Sequence, residues 1–226
     1  MKDLTSLGPL YHEYSIFGAT SIQLPGNFVL NQKSKAPIIT AYIQYAIAKS
    51  KSKTSDTISF CELFCADGYY ALLARHLGAS ISVGIDIGKD DYFQKAESIR
   101  NILNIDNVSF IKMDVNDIDT LIPLDIVANI GGLYHVSNPE DVLFKSYQLA
   151  NKYLIVQSVV SMANTDYNYY EQPAPGWDWG NRYNRYSFDS MINRLFRGKI
   201  IDSYFNELEG NDRLEDRGSV YYLVEV

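Results

Sequence analysis

Cysteine is nearly missing from this chain: Cys61 and Cys65 alone, four residues apart, rule out a disulfide framework. Neither has a histidine or a second cysteine pair nearby, which argues against a zinc or other metal site and for two buried apolar residues. No stretch approaches the roughly 20 uninterrupted apolar residues that a membrane span requires. The opening residues, MKDLTSLGPLYHEY, lack the charged-then-apolar order of a signal peptide, so the expected location is the cytoplasm. Basic residues are in deficit, with 20 Lys and Arg against 27 Asp and Glu. A net charge of −7 disfavours a nucleic-acid partner, because phosphate-backbone binding relies on clustered cations. Internal repeats and low-complexity segments are also lacking.

What is present is an ordinary globular balance, 46% hydrophobic and 21% charged, in 226 residues, enough for one α/β domain with a sizeable core. Eighteen tyrosines, several in pairs such as Tyr69-Tyr70 and Tyr221-Tyr222, supply apolar bodies with polar tips suited to half-buried packing and to ligand pockets. The polar, serine-rich stretch 49–56 divides an N-terminal lid or helical segment, residues 1–56, from the main pattern over 57–226. Within that segment 1–36 reads as irregular, and Pro37 to Lys49 predicts a helix with proline in its first turn.

From Thr57 onward, short β-rich runs alternate with helical stretches, the pattern of βαβ units and a mainly parallel sheet. Strands are expected at Ile58–Phe64, Ile81–Asp86, Val108–Lys112, Leu124–Ile130 and Tyr153–Val160. Helices are expected at Tyr69–Leu77, Asp90–Leu103, Pro139–Ala150 and Ser187–Phe196. Two closing β runs, Lys199–Asn206 and Ser219–Val226, are joined by a polar connection that reads as a hairpin, so at least one of them runs antiparallel. The segment 161–186 is aromatic, proline-bearing and too long for a simple connection, which marks it as a candidate binding element.

In open α/β sheets the ligand lies beyond the carboxyl ends of the strands, beside the first βα turn. Here that turn reads ISFCELFCADGYYALLAR. It resembles motif I of class I S-adenosylmethionine-dependent methyltransferases, an acid followed by a glycine-rich turn into a helix. Glu62 falls on the family's acid and Gly68 on its last glycine, whereas Phe64 and Ala66, flanking Cys65, stand where two more glycines are expected. The departure implies a bulkier turn, and it argues against a dinucleotide, whose pyrophosphate needs bare backbone there. Asp86, eighteen residues past Gly68, matches the family's ribose-binding acid. Asp114 matches the acid that faces the adenine, with Met113 and Val115 as apolar neighbours.

The resemblance covers roughly residues 57–160 and implies a Rossmann-like seven-stranded, mostly parallel sheet with helices on both faces and an antiparallel strand near the C-terminus. It further implies S-adenosyl-L-methionine as cofactor, held by Glu62, Phe64, Cys65, Ala66, Gly68, Tyr69, Asp86, Ile87, Met113, Asp114, Val115, Asn129, Ile130 and Gly131. His135 and Tyr134 follow the fourth strand, whose end lies under the transferred methyl group in the family. His135 is the candidate base for a hydroxyl acceptor, with Tyr134 positioning it.

The run GLYHVSNPEDVL is also similar to methyltransferase-like enzymes that modify the tRNA wobble uridine, and to bacterial relatives of unknown substrate. Tyr169, Tyr170, Trp177, Trp179, Arg182 and Tyr183 are the candidate substrate-binding residues, suited by stacking and charge-assisted bonds to an aromatic or anionic small molecule. The expected reaction is methyl transfer to a small molecule at a hydroxyl. The alternatives are tRNA modification and cofactor binding without catalysis; a homodimer is compatible with the sequence.

Overall fold

A computed structural model describes residues 2–51, 57–175 and 180–226. Seven strands form the central sheet: β1 (Ser59–Leu63), β2 (Ile81–Asp86), β3 (Val108–Lys112), β4 (Leu124–Ile130), β5 (Ala150–Val160), β6 (Ile200–Glu207) and β7 (Gly218–Glu225). Their spatial order is β6-β7-β5-β4-β1-β2-β3. All pairings from β5 across to β3 are parallel, and β7 lies antiparallel to both β5 and β6. The chain starts the sheet at β1, builds outward to β3, then returns to the other side of β1 with β4. This reversal between β1 and β4 is the switch point where the carboxyl ends of neighbouring strands open a crevice.

The two faces follow from alternation along the strands. On β4, Ile126, Ala128 and Ile130 enter a core shared with α1 (Asn27–Lys51), α2 (Tyr69–His76) and α3 (Asp91–Leu103). Val127, one residue out of phase, enters the opposite core with α4 (Pro139–Leu149) and α5 (Arg185–Leu195). β7 alternates likewise, Tyr221 and Leu223 on the first face, Val220, Tyr222 and Val224 on the second. Local signals fix the helix starts. Asn138 accepts from the Asp141 amide ahead of Pro139, and Asn184 with Ser187 forms a reciprocal capping box at α5.

One expectation fails. α1 begins at Asn27 and carries Pro37 in its interior, so residues 27–36 are helical rather than irregular. A proline inside a helix removes one main-chain donor and is disfavoured. Here the buried stripe continues unbroken across it, through Gln32, Lys35, Ile39, Tyr42, Ile43, Ala46 and Ile47, and tertiary packing outweighs the local penalty. The residues before α1 are not a detached arm. Leu4, Leu10 and Tyr14 are fully buried in the core shared with α1 and α2, and Lys2–Asp3 pairs in parallel with Ala19–Thr20. Among the described residues, no helix is long and apolar enough to cross a membrane.

Candidate active site

The turn from β1 into α2 is built on left-handed backbone. Phe64, Ala66 and Gly68 have φ of 61°, 47° and 82°. These are the three positions that align with glycines, so the conformation persists where the glycines do not. Each non-glycine residue in this region costs roughly 1–2 kcal/mol. The bulk at Phe64 is matched elsewhere: a Cβ added at Gly132 would lie 1.9 Å from the Phe64 ring, so the glycine after β4 makes room for the side chain that replaced a glycine after β1.

Carboxylates hold this turn. Glu62, buried in β1, accepts from the Ala71 amide at 2.7 Å, in the first turn of α2. Burial pushes its carboxyl well above the ordinary value despite the Ala71 and Tyr70 amides, and the charges of Asp67 and Asp86 add to the rise. At the end of β2, Asp86 accepts from the Ala66 amide at 3.1 Å on Oδ2 and from the Gly88 amide at 2.7 Å on Oδ1. It does not cap α3, whose N-cap is Asp90. Ile87 beside it is exposed, and the Met113 amide bonds to the Asp86 carbonyl at 2.9 Å, bringing the ends of β2 and β3 together. Asp114 caps the short 3-10 turn Val115–Thr120, both of its bonds from Asn116 falling on Oδ1. Cys65 and Val115 are buried.

After β4, Asn129 turns toward α4 and donates to Ser146 at 3.0 Å, while Ile130 packs into the α1 face. Gly131 has φ of 70°, and a Cβ there would lie 3.7 Å from Gln157 Oε1 and 3.8 Å from Tyr134 Oη. Gln157 Oε1 is buried and has no hydrogen-bond partner among the described residues. Tyr134 is buried on a 3-10 turn, and His135, at the end of that turn, is exposed.

The N-terminal segment closes over the first turn through a contact that the sequence does not signal. Asp67, fully buried between Ala66 and Gly68, binds His12 twice: the His12 amide donates to Oδ2 at 2.9 Å, and His12 Nδ1 lies 2.6 Å from Oδ1. Tyr14 donates to the Asp67 carbonyl at 3.1 Å. His12 stacks on Tyr69, with ring centroids 4.7 Å apart. Burial, with the charges of Asp67 and Asp86 adding, pushes the Tyr11 phenol up to about 12. A cavity of about 410 Å³ opens here, lined by Tyr11, His12, Lys35, Tyr134, Val159 and Asn211 among others, within the ~300–1,000 Å³ range of small-molecule sites.

The aromatic segment has a different geometry from the one its composition suggests. Tyr170 and Glu171 pair with Tyr183 and Arg182 in a two-stranded ladder. Arg182, 4% exposed, is clamped by Glu171 at 2.7 Å, Asp216 at 3.0 Å and the Pro175 carbonyl at 2.7 Å. Tyr183 packs on Phe188 of α5, Tyr169 donates to Glu171, and Tyr170 donates to Gln172. None of these four lines the cavity. Trp177 and Trp179 lie outside the described residues.

The ends of β1, β2 and β4 thus offer, among the described residues, acids and an orphaned amide oxygen. A ligand carrying a sulfonium and an ammonium and no phosphate fits that donor set. The model of the family described as a methyltransferase domain matches residues 54–206. This chain belongs to the methyltransferase domain family, as a class I S-adenosylmethionine-dependent enzyme.

Solved structures agree in fold. The N-terminal domain of EvdMO1 with S-adenosylhomocysteine bound matches with a TM-score of 0.68 at 15% identity, over 98% of this chain and 93% of that one. Magnesium protoporphyrin IX methyltransferase from Synechocystis PCC 6803 with S-adenosylhomocysteine bound gives 0.65 at 12% identity, over 90% and 88%. A methyltransferase described as putative, from Bacillus halodurans C-125, gives 0.59 at 12%, over 79% and 97%. A search of curated proteins found no match.

Two outcomes follow from the turn. Gly132→Ala should destabilise the protein by about 1–3 kcal/mol through overpacking against Phe64. Adding Phe64→Ala should cancel most of that loss, and a four-member urea-denaturation cycle with additive penalties would contradict the packing account. Glu62 gives a pH signature. A carboxyl whose folded pKa is raised contributes stability that is complete below its unfolded pKa and is lost as pH rises through the folded value. Glu62→Gln, permanently neutral, should therefore gain on the native protein between about pH 4 and about pH 8, read from urea midpoints. An unchanged difference at the two pH values would count against it.

Proposed function

We propose that the chain transfers the methyl group of S-adenosylmethionine to a hydroxyl of a small molecule bound in the cavity between the N-terminal segment and the ends of β4 and β5. The observation that carries this reading is the junction of two half-sites. The acids Glu62, Asp86 and Asp114 stand at the ends of β1, β2 and just past β3; the cavity-lining Tyr11 feels the charge of Asp86, and the cavity-lining Tyr134 comes close to Gly131 after β4. Asp86 would take the ribose, Met113 and Asp114 the adenine edge, and Gly131 with Gln157 Oε1 the methionine part. The bound sulfonium supplies an already activated methyl group, so the protein's work is alignment and exclusion of water.

Of the two imidazoles near the fourth strand's end, His12 is the one that faces the cavity. With the ring proton on Nδ1, Asp67 would accept it and leave the Nε2 lone pair for a proton, the orientation required of a general base. The cofactor would supply the methyl group and keep the electron pair of the broken carbon–sulfur bond, and as the acceptor oxygen bonds to the methyl carbon its hydroxyl proton would pass to His12 Nε2. Tyr134 borders the same space. His135 is exposed at the end of the turn and is not among the residues that line this cavity.

The acceptor class is tested by offering a panel of hydroxylated small molecules with methyl-labelled cofactor. On any acceptor found, His12→Asn should lower kcat on the order of 100-fold, the usual scale for losing a general base. His135→Ala should cost much less. The reverse ranking would return the base role to His135, and methylation confined to tRNA would overturn the small-molecule reading.

A further inference from the structure

The cavity contains a charge that no described residue neutralises. Lys35 sits on the inward stripe of α1, 9% exposed, and lines the cavity opposite Tyr134 and Val159. Among the described residues no carboxylate pairs with it, and burial alone pushes its amine down to about 8. In a chain of net charge −7, none of the described residues lining this cavity is acidic. The polar neighbours are already committed to one another. Asn31 donates to Asn211 Oδ1 at 3.0 Å, Asn211 donates to the Asp216 carbonyl, and Gln32 is occupied by Gln23 and by both main-chain groups of Glu13.

An unpaired buried ammonium is costly unless something brings the opposite charge to it. The position of the cavity decides where that charge comes from. Its walls are the end of β5 at Val159, the β6–β7 connection at Asn211 and the turn after β4 at Tyr134. The acids suited to adenosine stand across the switch point, at the ends of β2 and β3. One lysine, with no arginine and no second lysine among the described residues of the lining, matches a monoanion better than a phosphate dianion, which calls for several charged donors.

We propose that the methyl acceptor carries a carboxylate, bound by Lys35 Nζ, with its hydroxyl turned toward His12. This rests on the methyltransferase reading above and adds the acceptor's charge to it. The anion fixes one end of the molecule and the His12–Asp67 pair faces the other, so that recognition and deprotonation are divided between α1 and the N-terminal segment.

The test is calorimetric titration of the complex with S-adenosylhomocysteine, using 4-hydroxybenzoate and its neutral counterpart 4-hydroxybenzamide as probes, on native protein and on Lys35→Met. The acid should bind native protein about tenfold or more tightly than the amide, as a charge-assisted bond implies, and the preference should vanish in Lys35→Met. Affinity of both proteins for S-adenosylhomocysteine should agree within about twofold, which also shows that the variant is folded. Equal binding of acid and amide, no binding of the acid, or a preference that survives in the variant would each overturn the proposal. So would a loss of S-adenosylhomocysteine affinity in the variant, which would assign Lys35 to the cofactor's own carboxylate. Failure of the native protein to bind S-adenosylhomocysteine at all would instead strike the methyltransferase reading.

Discussion

Side-chain carboxylates accepting main-chain N–H bonds around the β1–α2 turn are the constraint on which the site depends. Glu62 secures the first turn of α2, Asp86 reaches across from β2 to the Ala66 amide, and Asp67 pins the N-terminal segment through His12. Together they hold a backbone that passes through the left-handed region three times while carrying phenylalanine and alanine in two of those places. Glycine would make that path cheap. Here its cost is offset by bonds from acids, and by a glycine displaced to position 132, where the Phe64 ring needs the space.

Crowding these acids has an electrostatic consequence. Burial and mutual repulsion raise the Glu62 carboxyl, and the same charges add to burial in raising the Cys65 thiol. A cleft that is acidic on the β1–β2 side favours a cationic ligand there. On the β5 side the described lining residues include one buried lysine and no acid, which favours an anion. The two halves thus differ in sign, and the proposed transfer from a sulfonium donor to an anionic acceptor rests on that division.

Much of the fold is legible in the sequence because the signals are local. β2, β3 and β4 fall where their apolar runs predict them, and Asn138-Pro139 announces α4. The three acids that the resemblance singles out do stand at or just past the ends of β1, β2 and β3, as their spacing predicts. Pro37 misleads because it imitates a first-turn proline, and only the buried stripe running through it shows that α1 starts earlier. His12 and Asp67 stand 55 residues apart, and no periodicity links them. Gln157 and Lys35 are equally silent, each an ordinary residue in its own element until neighbouring elements remove its partners. Arg182 illustrates the opposite error: an arginine among tyrosines suggests substrate recognition, yet two carboxylates and a carbonyl consume it in holding the loop to the β6–β7 connection.

The central claim is that the carboxylate-held turn and Asp86 form one half of a cofactor site. Calorimetric binding of S-adenosylhomocysteine to native protein and to Asp86→Asn addresses it most directly. Saturable one-to-one binding to native protein, weakened by about tenfold or more in the variant through loss of charge-assisted ribose bonds, is the predicted result. Absence of binding to native protein, or equal affinity in the two, would contradict the account.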